Sequence, residues 1–125
     1  MKINAETKGF FLQTPFSGEV DAHLKLSSYS TNENLAILLC YYYKEDDGEI
    51  YEEEIPITVN IVELPKNMAA LDKNNLENYE YWEQIKLLIA SNELGVMRGE
   101  VPSGYCMYPV FEFDMEKLKS LSLSI

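Results

Sequence analysis

Arginine is nearly missing from this chain of 125 residues: Arg98 is the only one, and His23 is the only histidine. Ten lysine and arginine residues stand against 21 aspartates and glutamates, a formal net charge of −11. A phosphate backbone is gripped by a basic footprint, and a field of this sign repels it, which argues against direct nucleic-acid binding. Cysteine is scarce too. Cys40 and Cys106 each sit in an apolar or aromatic context, where a thiol behaves as a small buried hydrophobe, so reduced, buried cysteines are expected rather than a disulfide framework. No apolar run approaches the roughly 20 residues of a membrane helix. "MKINAETKGFF" has no basic region followed by a long apolar stretch, so a cytoplasmic protein without membrane contact is expected. Repeats, low-complexity tracts and Pro/Ser-rich linkers are absent as well, which points to one domain over residues 1–125.

Catalytic signals are equally thin. Gly95 and Gly99 are too sparse for a phosphate loop, and no spacing singles out an acid/base pair of carboxylates. His23 and Cys106 are the one conceivable nucleophile–base pair, and nothing in the sequence orients them. The expectation is a non-enzyme without metal or cofactor.

What the chain does have is period. Val20, Ala22, Leu24 and Leu26 alternate with Asp21, His23 and Lys25, the pattern of a half-buried strand. "NLAILLCYYYK" reads as a central strand, since three consecutive tyrosines favour a pleated surface. "IYEEEIPITVNIVEL" turns apolar at Ile55, Ile57, Val59 and Ile61, and Pro56, which lacks a ladder donor, belongs at an edge or bulge. Asp47-Gly48 supplies a two-residue turn, so residues 35 to 62 are read as one long hairpin. "MAALDKNN" starts with a short strand. The period then changes: Tyr81, Trp82, Ile85, Leu88 and Ile89 form one apolar stripe, predicting a helix near residues 76 to 93. Asn74 or Asn75 is the expected cap and Gly95 the expected stop. "GYCMYPVFEFD" returns to strand, Pro109 again favouring an edge, and residues 114–125 form a terminal helix or tail. The class is α+β: an antiparallel sheet of about five or six strands with one principal helix packed on one face.

The candidate site is the acidic run "YYYKEDDGEIYEEEIPITVN". Placing Gly48 at the obligatory sixth position of a calcium loop puts Tyr43 where the first carboxylate must be, which argues against that metal site. On a strand, Glu52 and Glu54 share a face roughly 6.5–7 Å apart, near the spacing of phosphates along a nucleic-acid strand, and the turn adds further carboxylates. Glu45, Asp46, Asp47, Glu49, Glu52, Glu53 and Glu54, with Tyr43 and Tyr51, therefore form the expected partner-binding surface. The competing reading is a solvated hairpin end that guards a sheet edge. Asp72, Asn74 and Asn75 are read as helix-capping residues, and Ser103-Gly104 as a turn.

The segments "DGEIYEEEIPITVNI", "AALDKNN" and "SGYCMYPVFEF" resemble a family of small uncharacterised bacterial proteins, the domain of unknown function 4313, found largely on plasmids and conjugative elements. Gly48, Glu49, Tyr51, Thr58, Val59, Asn60, Asp72, Asn74, Asn75, Ser103, Gly104, Tyr108 and Pro109 carry the likeness, over roughly residues 35 to 113. Lys73 interrupts the family's Asp-Thr-Asn pattern, and Glu52 to Pro56 look like an insertion. The resemblance implies an accessory protein of mobile DNA and supplies no reaction. Together with the charge, it leads to the expectation of a non-catalytic inhibitor occupying a basic surface of a host nucleic-acid enzyme, as antirestriction or anti-CRISPR proteins do. The alternative is a small structural or regulatory domain whose acidity serves solubility alone.

Overall fold

The alternation in "GEVDAHLKLSS" gives the first sheet its two faces: Ala22 and Leu24 are buried, Val20 and Leu26 pack at the margin of the core, and Asp21, His23 and Lys25 point away. The computed structural model describes residues 2–4 and 7–124. In the first sheet β1 (Ile3–Asn4), β2 (Gly9–Thr14), β3 (Gly18–Ser28), β4 (Leu35–Lys44) and β5 (Ile50–Pro56) lie side by side in chain order, all antiparallel. A second antiparallel sheet has the order β6 (Thr58–Val59), β7 (Met68–Leu71), β9 (Cys106–Phe113), β8 (Gly95–Ser103). The last strand, β10 (Ser122–Ser124), returns to the first sheet and runs parallel to β3 over Leu24–Leu26, on the edge that β2 occupies over Gly18–Ala22. Two sheets thus replace the single one expected.

The crossing between sheets is one residue long. Ile57 donates its N–H to the Ile37 carbonyl of β4 and accepts from the Asp72 N–H just after β7, so its two backbone groups serve different sheets. The expected hairpin over residues 35 to 62 therefore ends at Pro56, which lies in the edge strand of the first sheet as its missing donor requires. Pro109 lies in β9, an internal strand, but β7 reaches only Val110–Glu112, so the ring stands where β8 alone is the neighbour.

The predicted long helix is broken in two, α1 (Lys73–Asn78) and α2 (Trp82–Ser91). Each ends in the same motif. After α1 the Tyr81 N–H reaches the Leu76 carbonyl and the Glu80 N–H that of Glu77; after α2, Leu94 reaches Ile89 and Glu93 reaches Ala90. This paired closure needs a left-handed residue, usually glycine, and here Glu80 (φ 66°) and Glu93 (φ 52°) supply it. Gly95 is not the stop; it opens β8. Asp72 is the N-cap residue of α1, without a side-chain cap bond, and Asn74 and Asn75 lie inside the helix rather than capping it. A third helix, α3 (Met115–Ser120), capped by Asp114 on the Lys117 N–H, precedes β10, so the expected tail is a helix followed by a strand; Ile125 lies outside the described residues.

The stripe Tyr81, Trp82, Ile85, Leu88 and Ile89 is buried as read, in one core shared with Leu12, Leu39, Ile55, Leu71, Phe111 and Leu118. Burying such a side chain is worth about 1.5–3 kcal/mol relative to leaving it exposed, and this shared core is what joins sheets and helices. Gln84 fastens α2 to the first sheet: its side-chain oxygen accepts the Gln13 N–H at 2.9 Å and its amide donates to the Gln13 carbonyl at 3.0 Å. Among the described residues no helix is long and apolar enough to cross a membrane.

Candidate functional site

Three residues, not two, make the turn of the acidic hairpin. The Gly48 N–H donates to the Glu45 carbonyl at 2.9 Å and the Glu45 N–H to the Glu49 carbonyl at 3.0 Å, which places Asp46 and Asp47 at the turn centre and Gly48 (φ 85°) in the left-handed bulge that follows. Asp47 holds the loop from within: its carboxylate accepts the Glu49 N–H at 2.8 Å and the Tyr51 hydroxyl at 2.9 Å, and the latter bond raises the Tyr51 phenol pKa.

Strand alternation then divides the expected partner-binding surface. Tyr43 and Tyr51 are cross-strand partners and stack, ring centroids 5.8 Å apart, on the same face as Glu53, Tyr41 and the core. Glu52 and Glu54 share the opposite face, as read from the sequence, but the Lys25 ammonium lies between them at 3.2 and 3.3 Å. A hydrogen bond from the exposed Tyr42 phenol and a second from Lys25 lower the Glu52 pKa. The pair of carboxylates spaced like phosphates is thus partly neutralised by the protein's own lysine. Glu45, Asp46, Asp47 and Glu49 remain at the tip.

On the core-facing side a run of tyrosines leads inward from the tip. Tyr43 lies 6.3 Å from Tyr41, Tyr41 meets Tyr81 edge-on at 6.3 Å, and Tyr81 stacks on Tyr79 at 5.7 Å. The Tyr41 and Tyr81 hydroxyls share a buried hydrogen bond of 2.8 Å. Burial raises both phenols above their ordinary value. Beside this run, between the tips of the β2–β3 and β4–β5 hairpins, opens a cleft of about 1070 Å³, and Tyr43, Glu45, Asp46 and Glu53 of the predicted set lie on its wall. A smaller notch of about 300 Å³ at the tip itself is bounded by Tyr43, Glu45, Asp46, Asp47 and Tyr51.

The other sequence candidates fall elsewhere. His23 stands across the ladder from Cys40, not Cys106, which is half-buried in β9 near the end of the second sheet. Burial pushes the Cys40 thiol pKa up, the opposite of activation. Among the described residues no three His, Cys, Asp or Glu side chains are grouped to hold a metal ion. Thr58 is buried and structural: its hydroxyl accepts the Ile37 N–H at 3.1 Å and bonds Tyr29 at 2.9 Å. Asn60 accepts from Asn32 and Asn34, closing the loop after β3. The turn expected at Ser103-Gly104 lies one residue later: Ser103 ends β8 paired with Cys106, and Gly104 (φ 61°) and Tyr105 make the β8–β9 turn. Sequence reasoning missed Lys25, Glu19, Asp21, Tyr79 and Tyr81 as members of this region. The alternation along β3 shows that Asp21 and Lys25 share a face, but only the register Ala22–Tyr41 brings that face to the acidic strand.

Neither the curated proteins nor the solved structures searched contain a match. The family described as domain of unknown function (DUF4313) matches residues 23–124, a wider span than the motifs alone cover. With the match running from within β3 to the end of β10, this chain belongs to that family.

Proposed function

We propose that the chain is a non-catalytic acidic interaction protein of a bacterial mobile element or phage. It acts in the cytoplasm by docking on a basic surface of a host nucleic-acid enzyme, and its specific form is an antirestriction or anti-CRISPR inhibitor that imitates nucleic-acid charge. The observation that carries the reading is the β4–β5 tip. Glu45, Asp46, Asp47 and Glu49 stand on a turn tied by Asp47, at the end of a ribbon stiffened by the Tyr43–Tyr51 stack. Charge held on a rigid frame steers a basic partner and keeps its register.

A second reading is favoured by the Lys25 clamp on Glu52 and Glu54. Carboxylates bound internally are not offered to a partner, and acidity that serves solubility alone accounts for them equally well. The two readings part at the tip. Replacing Glu45, Asp46 and Glu49 by their amides, with Asp47 kept as the loop's tie, should change stability by less than about 0.5 kcal/mol. It should also weaken the chain's ability to displace DNA from heparin-purified nucleic-acid enzymes, and displacement by the parent should fade as salt rises. If the parent displaces no enzyme, or the amide variant competes as well, the interaction reading fails.

A further inference from the structure

The β3–β4 ladder stops at the Ala22–Tyr41 pair, although β3 begins at Gly18 and β4 runs on to Lys44. Each strand stays bonded on its far side, β3 to β2 and β4 to β5, so the two hairpins part as braced ribbons and leave the 1070 Å³ cleft between them. Gln84 holds the β2 side and the Tyr43–Tyr51 stack holds the other. The opening is preformed, and facing strand edges offer backbone donors and acceptors to an extended segment laid between them.

We infer that this cleft is a docking groove for an extended segment of a partner protein that presents an arginine, whose guanidinium lies against the tyrosine rings beside Glu53. Two separate features select that occupant. The first is charge: Glu19, Asp21, Glu45, Asp46 and Glu53 bound the cleft, against Lys44 and the single imidazole of His23. The second is the character of the wall. Tyr43 and Tyr79 present ring surface there, backed by the buried Tyr41 and Tyr81, and a planar guanidinium stacks on such rings while forking onto a carboxylate, which a compact, strongly hydrated ammonium does less well. Glu53 is the carboxylate so placed. It is half-buried on the face of Tyr41, its cross-strand partner, and has no ion-pair or hydrogen-bond partner among the described residues. The inference rests on the reading above that a basic protein is the target, and adds which of its groups is taken and where.

The test is an amide NMR titration of the full chain, at physiological salt, with the peptide Ser-Arg-Ser-Arg-Ser and its lysine and citrulline counterparts. The expected result is shifts confined to the cleft, residues 14–23, 41–46, 53 and 79–81, with the arginine peptide bound roughly three- to tenfold more tightly than the lysine one and the neutral citrulline peptide not bound. The isosteric change Glu53→Gln should weaken the arginine peptide about tenfold, and Asp46→Asn, on the rim and away from the core, by less. Shifts spread over the whole acidic surface, equal affinity for arginine and lysine peptides, binding of citrulline, or an unaffected Glu53→Gln variant would each overturn the groove. Arginine-peptide binding in the cleft by a chain that displaces no DNA from any enzyme would sink the proposed function and leave the groove standing. Displacement without cleft shifts would do the reverse.

Discussion

The β4–β5 and β8–β9 hairpins are both ribbons that reach beyond the sheets they belong to, yet their side chains are settled in opposite ways. On β4–β5 one face is packed: Tyr43 stacks on Tyr51, Tyr41 is buried, and the hydroxyl bond to Tyr81 ties the ribbon to the start of α2. On β8–β9 the strand β8 is exposed on both faces; Val96, Met97 and Met107 are about half exposed, and Tyr105 at the turn is fully so. The backbone ladders are similar in kind. Ladder bonds alone leave a two-stranded ribbon marginal, and cross-strand and sheet-to-helix packing decides which of the two holds its shape.

The sharpest way to break the contrast is Tyr81→Ala. It removes a fully buried ring from beneath Tyr41 and Tyr79, and should cost about 3–5 kcal/mol in chemical denaturation. A loss below about 1 kcal/mol would mean that the tyrosine run is not what holds this hairpin.

A graded version of the same perturbation is alkali. Burial pushes the Tyr81 and Tyr41 phenols above the ordinary value of 10, and their shared hydrogen bond adds to the rise at Tyr81. Because the folded pKa exceeds the unfolded one, the stabilisation is whole below pH 10 and is lost progressively as pH rises toward the folded values. Denaturant midpoints should therefore fall above pH 10, and Tyr81→Phe should blunt the fall. A midpoint that stays level there would show that the two phenols ionise as readily folded as unfolded.

The smallest effect belongs to the other ribbon. Tyr105→Ser cuts a side chain that touches no core, and stability should change by no more than about 0.5 kcal/mol. A larger loss in the same denaturation experiment would place Tyr105 in contacts that its full exposure denies.

The parts of this fold legible from sequence are those with a local cause. The alternation in β3 and the apolar stripe of α2 are periods, and both lie where they were read. The helix break was hidden because the left-handed positions hold Glu80 and Glu93, whereas glycine is the residue that announces such a turn. The second sheet was hidden because the switch at Ile57 has no composition signature; it is defined by two hydrogen bonds to distant residues. The same limit governs the site. The acidic run was visible, but its division by face into Glu53 and the Glu52–Glu54 pair, and the clamp that Lys25 places on the latter, depend on a register between β3, β4 and β5 that no single segment encodes.

The return of β10 to β3 also fixes an order of completion. Every strand of the second sheet, and the helices α1 and α2, come from one unbroken stretch, Thr58–Phe113, lodged between β5 and β10 of the first. The second sheet can assemble from near neighbours, whereas the first must wait for Ser122–Ser124 to find Leu24–Leu26 across most of the chain. Closing so long a loop is the slow kind of step in folding, since its entropy is lost before its contacts are gained. During synthesis, β3 therefore emerges early and keeps part of one edge uncovered until β10 arrives.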